Sequence, residues 1–202
     1  MQTPWREQID VVDRGSPIVL PDSPLARDYQ RMPDVEFKWM EGGGAARPWL
    51  CPIYGMSTEL EVLDLLYSLV KLIRPKLIVE TGSHLGLGTY ALGKAAKETG
   101  AEVISCDVDL NYVDRTRERC VGLPVSVVLC PAESLPEIRE ADFIFLDGSE
   151  TSRMKCIPRM KPGAIAVMHD TRQEIFLRES FVGNGEVIHL ESWRGASIFQ
   201  KG

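Results

Sequence analysis

From Ser57 onward, apolar runs of strand length alternate with segments of helical periodicity, and this alternation constrains the fold more than any other feature of the chain. Thr58 and Glu61 have capping-box spacing, followed by Leu60, Leu63, Leu66, Tyr67 and Val70 at helical intervals, with Pro75 as the stop. Strands are expected over Lys76–Glu80, Val103–Asp107, Val125–Cys130, Phe143–Asp147 and Ala164–His169. Helices are expected over Thr89–Thr99, Leu110–Val121 and Arg172–Phe181. Val187–Glu191 and Ala196–Gln200, separated by Ser192-Trp193-Arg194-Gly195, have the pattern of a closing hairpin. The expected fold is α/β: a Rossmann-like, doubly wound, mostly parallel seven-stranded sheet with a C-terminal antiparallel hairpin.

Residues 1–53 differ in texture. Pro4, Pro17, Pro21, Pro24, Pro33 and Pro48, with Pro52 just after them, interrupt regular elements, and Gly42-Gly43-Gly44 adds a flexible run. Trp5, Phe37, Trp39 and Trp49 nevertheless need an apolar surface. We expect an irregular arm over 1–53, lying on the domain or on a partner subunit of a homo-oligomer, and one globular domain over 54–202.

The composition narrows the class. Lys plus Arg total 23 against 29 Asp plus Glu, a net charge of −6, which gives no overall field for nucleic acid. Apolar runs such as Leu77-Ile78-Val79 are too short to cross a bilayer, and the N-terminus lacks a basic-then-apolar leader pattern, so a cytoplasmic location is expected. The five cysteines are scattered without a C-x-x-C pair, a pattern for reduced, packed thiols rather than a disulfide framework or zinc site.

In an open α/β sheet, ligands sit beyond the carboxyl ends of the strands. At those ends stand Glu80, Asp107, Asp147 and Asp170. Acids gathered on one rim repel each other, so something must offset them, a cationic ligand or a metal ion. The first strand is followed by a glycine-rich loop, Glu80-Thr81-Gly82-Ser83-His84-Leu85-Gly86-Leu87-Gly88-Thr89. Gly86-x-Gly88-x-x-Ala91 satisfies the dinucleotide fingerprint literally, and Asp107 lies 19 residues after Gly88, so an NAD-dependent oxidoreductase is a competing reading. In that motif, however, the first glycine comes directly off the strand. Here Glu80 through Leu85 intervene, and a carboxylate at that point repels pyrophosphate but suits an ammonium or sulfonium group.

Taken in order, Glu80-x-Gly82-x-x-x-Gly86-x-Gly88-Thr89, Val103-Ile104-Ser105-Cys106-Asp107, Phe145-Leu146-Asp147-Gly148 and Lys161-Pro162-Gly163 leading to His169-Asp170-Thr171 resemble the class I S-adenosylmethionine-dependent methyltransferases. The resemblance covers roughly residues 54–202 and is greatest to small O-methyltransferases of catechol type and their sugar- and antibiotic-acting relatives. It implies methyl transfer from S-adenosylmethionine to an oxygen of a small molecule or glycoside. It assigns Gly82, Ser83, Gly86 and Gly88 to the cofactor loop, Glu80 to the methionine end, Asp107 to the ribose hydroxyls, and Ala132 and Glu133 to the adenine side. Pro131 stands where a glycine is expected.

In metal-dependent relatives, acids after the fourth and fifth strands bind a divalent ion, which here implies Mg2+ or Mn2+ at Asp147 and Asp170, with His169 as a further ligand. Thr171 stands where the catechol-type pattern has Asn, and Glu150 near where it has Lys. Proton removal from the acceptor falls to that metal, or to His84 or His169 as base, with Asp147 at the centre of the site. A catalytically silent S-adenosylmethionine-binding module is the third reading, since fold resemblance alone does not establish catalysis.

Overall fold

The computed structural model describes residues 10–11, 21–41, 49–52, 57–172, 185–190, 192 and 194–202. Trp5, the triglycine run and nearly all of the helix expected over 172–181 lie outside the described residues. The elements in chain order are β1 (Asp10–Val11), α1 (Pro24–Gln30), β2 (Lys38–Glu41), β3 (Trp49–Cys51), α2 (Leu60–Ile73), β4 (Leu77–Thr81), α3 (Leu87–Thr99), β5 (Glu102–Asp107) and α4 (Leu110–Arg119). They continue with β6 (Val125–Leu129), β7 (Phe143–Leu146), α5 (Glu150–Cys156), β8 (Ile165–His169), β9 (Gly185–Leu190) and β10 (Ala196–Lys201). Short 3-10 turns occupy Ala132–Ser134, Pro136–Arg139 and Ile157–Arg159.

Seven strands make one sheet in the order β6-β5-β4-β7-β8-β10-β9. β4 pairs in parallel with β5 on one side and β7 on the other, and β6 and β8 extend the parallel set outward. β10 runs antiparallel to both β8 and β9, so the C-terminal hairpin inserts one reversed strand beside β8. Strand order therefore runs outward in opposite senses from β4, and the crevice beyond the carboxyl ends of β4 and β7 is the natural ligand position.

Central strands read as unbroken apolar runs because both faces are covered. Along β7, Phe143 and Phe145 join the core with α1, α2 and α3, while Ile144 and Leu146 join the other core with α5 and the 3-10 turns. Helix ends follow local chemistry. Arg74 closes α2 in a left-handed conformation immediately before Pro75, and Gly100 does the same for α3. The Thr58–Glu61 capping box does not form. The cap position of α2 is Glu59, without a side-chain capping bond, because the Thr58 hydroxyl is donated to Asp147 instead.

The stretch read as irregular contains regular elements among its described residues. Ser23 caps α1 by accepting from the Leu25 and Ala26 amides, and its own hydroxyl donates to Asp64 at 2.6 Å. Leu25, Ala26 and Tyr29 are buried in the core with α2 and α3, and the Tyr29 hydroxyl donates to the Leu87 carbonyl at 2.7 Å. A three-stranded antiparallel sheet, β1-β2-β3, completes this region. Proline at the first helical position favours α1, so a proline-rich composition was compatible with a helix here. No helix among the described residues is long and apolar enough to cross a membrane.

Candidate functional site

Beyond the carboxyl ends of β4, β5, β7 and β8 lies a cavity of about 530 Å³, within the range of small-ligand sites. Its walls include Gly82, His84 and Gly88 from the glycine loop, Asp107 from the end of β5, Ala132 and Glu133 after β6, Asp147 after β7, Asp170 after β8, and Arg194 from the β9–β10 turn. None of the described residues of 1–53 lines it. The described part of that stretch packs on the core rather than lining the cavity.

The loop after β4 is held by tight backbone packing. Gly82 has φ 81°, and a Cβ there would lie 2.7 Å from the Gly148 Cα. A Cβ at Gly88 would run into Glu80 Oε1 and lie 3.1 Å from the Phe145 ring. Gly86 abuts Thr116 on the far side, and Ser83, though buried, does not reach the cavity wall. Asp107 is fixed with both oxygens in use. Oδ2 accepts from the His84 amide at 2.9 Å and Oδ1 from the Asp109 amide at 3.0 Å, which aims the carboxylate edge at the cavity.

Glu80 does not line the cavity. It is only 1% exposed, behind the loop, where its carboxyl accepts from Ser105 Oγ at 2.5 Å and from the Thr89 hydroxyl. Burial, reinforced by the charges of Asp147 and Asp107, pushes its pKa up to about 8 against the opposing hydroxyl bonds. At neutral pH it is protonated, so the charge argument made from Glu80 transfers to Asp107 and Asp147. Across the cavity, Glu133 accepts from Ser152 Oγ at 2.8 Å and Lys155 Nζ at 2.9 Å, and the Lys155 bond leads the interactions that hold its carboxyl at about 2.

His84 sits at φ 44° with its ring edge on Tyr112, centroids 4.5 Å apart. Burial lowers its pKa, only partly offset by Asp147 and Asp107, so it is a neutral imidazole on the cavity wall.

The structure brings Asp147, His169 and Asp170 together, with one ligand-type atom of each within 4.8 Å of the others. His169 and Asp147 have hydrogen-bond partners, whereas Asp170 Oδ1 is buried without one. His169 Nδ1 lies 2.9 Å from Asp147 Oδ1, and Nε2 lies 2.6 Å from Glu59 Oε2. Both ring nitrogens must carry protons to donate to two carboxylates, so His169 is an imidazolium, with neither a lone pair for a metal nor a free site for an acceptor proton. Burial works against that charge, but Asp170, Glu59 and Asp147 outweigh it and hold the pKa at about 10. Asp147 Oδ2 accepts from Thr58 at 3.0 Å. Asp170, at φ 62°, faces Arg194 Nε at 3.3 Å and Arg153 Nη2 at 3.6 Å. Thr171 points away, its hydroxyl accepting from Ser197 at 2.8 Å, and Glu150 is an exposed residue at the start of α5. Asp170 Oδ1 is buried without a hydrogen bond and lies close to Asp147, so the two carboxylates can hold a divalent ion, while His169 is committed to Glu59 and Asp147.

Residues 79–171 match the family model described as a methyltransferase domain. No curated protein matches the sequence. Among solved structures, a methyltransferase from Geobacter sulfurreducens shares the fold at TM-score 0.62 and 19% identity, over 72% of this chain and 81% of its own. An SAH-bound methyltransferase from Podospora anserina gives 0.60 and 18%, over 91% and 89%. An O-methyltransferase from Streptomyces achromogenes, involved in tomaymycin synthesis and solved with SAM, gives 0.60 and 14%, over 74% and 84%.

Around this site, sequence reasoning missed Glu59, Arg153 and Arg194. Glu59 is fully buried one residue from the expected cap, and Arg153 is almost fully buried, donating to the carbonyls of Gly148 at 2.7 Å and His169 at 2.5 Å. The available signal was the acidic rim itself, whose repulsion required cations that the chain supplies.

Proposed function

We propose that the protein transfers a methyl group from S-adenosylmethionine to an oxygen of a small molecule or glycoside. The observation that carries this reading is the pairing of the glycine loop with Asp107 across one cavity, inside a segment matching a methyltransferase domain. The backbone at Gly82 and Gly88 would hold the cofactor's methionine side, Asp107 its ribose hydroxyls, and Ala132 with Glu133 its adenine side. Bound there, the cofactor supplies a methyl group already activated on a positively charged sulfur. The protein's tasks are to align the acceptor in line and to remove its proton. His84 is the group placed to take that proton, being neutral and on the wall. His169 is excluded by its two carboxylate bonds. The acids that face the cavity, Asp107 and Asp147, favour a cationic ligand over the pyrophosphate of NAD. The five free thiols accord with the reducing environment of the cytoplasm.

Calorimetry with S-adenosylmethionine, its demethylated product and NAD tests the reading. The first two should bind and NAD should not. Asp107→Ala should weaken binding at least about tenfold, the loss expected for a charged hydrogen-bond acceptor. Unchanged affinity in that variant would remove the ribose assignment. Release of labelled methyl to an acceptor from a panel of catechols, sugars and nucleosides separates an enzyme from a silent binding module.

A further inference from the structure

A phenol or a guanidinium taken out of water costs stability unless its donors are met, and phenylalanine would fill the space of a core tyrosine without that cost. Tyr29 of α1 is fully buried, and burial pushes its pKa well above 10, so its hydroxyl keeps a proton to donate. That hydroxyl donates at 2.7 Å to the carbonyl of Leu87, the first residue of α3 and part of the cavity wall. One residue earlier α1 is pinned to α3, where Asp28 accepts from the Tyr90 hydroxyl at 3.1 Å and pairs with Lys94. Arg119, at the end of α4, approaches the same loop. Its side chain is only 5% exposed; its Nε donates to the Leu85 carbonyl at 2.7 Å, and its other nitrogens meet Met32 Sδ and the Asp34 carboxylate. Thr116, one turn earlier, donates to the His84 carbonyl at 3.2 Å. The carbonyls between them are also taken, Ser83 by the Gly86 amide at 2.7 Å and Gly86 by the Tyr90 amide at 2.9 Å.

We propose that Tyr29 and Arg119, with Asp34 behind Arg119, are positioning residues for the glycine loop, which makes segment 21–41 a working part of the S-adenosylmethionine site although it lines none of the cavity. The inference rests on the methyl-transfer reading for the identity of the ligand, and the bracing itself stands on the hydrogen bonds. His84, Leu85 and Leu87 line the cavity, whereas Tyr29, Asp34, Thr116 and Arg119 do not, so the loop lies between the ligand space and its braces. A peptide unit is planar, and gripping its carbonyl also fixes the direction of the amide that follows. Glycines at 82, 86 and 88 give this backbone more freedom than most, so its order must come from outside the loop. Set from behind, the loop has less freedom to lose when a ligand binds. Arginine suits the bridging post because its planar fork presents several donors at once, here to a carbonyl, a sulfur and a carboxylate.

The test compares Tyr29→Phe, Arg119→Lys and Ser23→Ala in the full chain, by calorimetry with S-adenosylhomocysteine beside urea unfolding. Tyr29→Phe deletes only the hydroxyl and should weaken binding about three- to tenfold. Arg119→Lys keeps a charge opposite Asp34 but loses the fork, and should weaken binding about tenfold. Ser23→Ala strips the cap from α1 and should lower the urea midpoint, yet leave affinity unchanged, because Ser23 touches no loop carbonyl. Wild-type affinity in both Tyr29→Phe and Arg119→Lys would overturn the proposal, and so would an equal loss in Ser23→Ala, which would make the segment merely structural. If Arg119→Lys does not fold, Tyr29→Phe decides. Amide hydrogen exchange follows the loop without ligand: residues 83–88 should exchange faster in Tyr29→Phe than in wild type or Ser23→Ala, and unchanged exchange overturns the bracing. Failure of wild type to bind S-adenosylmethionine or S-adenosylhomocysteine would strike the methyl-transfer reading, and the exchange rates would still judge the bracing.

Discussion

Glu59 and Glu80 are both buried carboxyl groups, 0% and 1% exposed, near the same crevice, yet their environments drive them in opposite directions. Burial penalises the charged form of each. Glu80 has only neutral hydroxyls as partners, from Thr89 and Ser105, and its pKa rises to about 8. For Glu59 the same burial is outweighed by the charge and hydrogen bond of His169 and by Arg194, and the pKa falls to about 2. Depth of burial therefore does not determine ionisation; the kind of partner does. One side of the site is kept neutral beneath the loop expected to face a cationic cofactor, and the other is a compensated ionic cluster.

The largest effect should come from breaking the ionic side. Glu59→Ala leaves His169 and Arg194 short of a counter-charge in a buried setting and should cost ~3–5 kcal/mol in urea unfolding at neutral pH. The pH dependence of that loss follows from the depressed pKa. The contribution of Glu59 is present above about 4.5 and vanishes as pH falls toward about 2, so wild type and variant should converge in acid. Parallel curves down to that pH would sink the assignment.

Glu80→Gln keeps an acceptor for the two hydroxyls and removes the penalty of ionisation. Because the folded-state pKa of Glu80 is raised, its favourable contribution is full below about 4.5 and is lost as pH rises toward about 8. The variant should gain on wild type across that interval, by ~4 kcal/mol at the alkaline end. A pH-independent difference between the two melting curves would contradict this. Gly88→Ala drives a methyl into the Glu80 carboxyl and the Phe145 ring and should cost ~1–2 kcal/mol, read from the same unfolding assay. The smallest effect is Thr58→Ala, which deletes one donor to Asp147 and should cost ~1 kcal/mol. A larger loss there would mean that Thr58 also supports the turn into α2.

The strands were legible in the sequence because β4, β7 and β8 are buried on both faces and must be apolar throughout. The loop after β4 was legible because close packing against Gly148, Thr116 and Glu80 leaves room only for glycine. Helix α1 was hidden by the prolines around it, one of which begins it. The ionic cluster was hidden for a different reason. Glu59 is local in sequence to a cap, and Arg194 to a hairpin turn, and each has an ordinary role available there. Their actual roles arise from contacts across the fold that no spacing rule encodes. The inference that an acidic rim needs a cation was sound as electrostatics; it did not say that the cation would be part of the chain.

The bond from the Arg194 amide to Glu59 spans 135 residues, whereas the side-chain hydrogen bonds that fix Asp107 span 23 or fewer. Closing so large a loop is entropically costly, and chains fold such distant contacts late. During synthesis the glycine loop and Asp107 can be in place while the C-terminal hairpin is still emerging. The two halves of the site thus mature in sequence, and the side of Asp147 and Asp170 gains Arg194 only when the last strands pair.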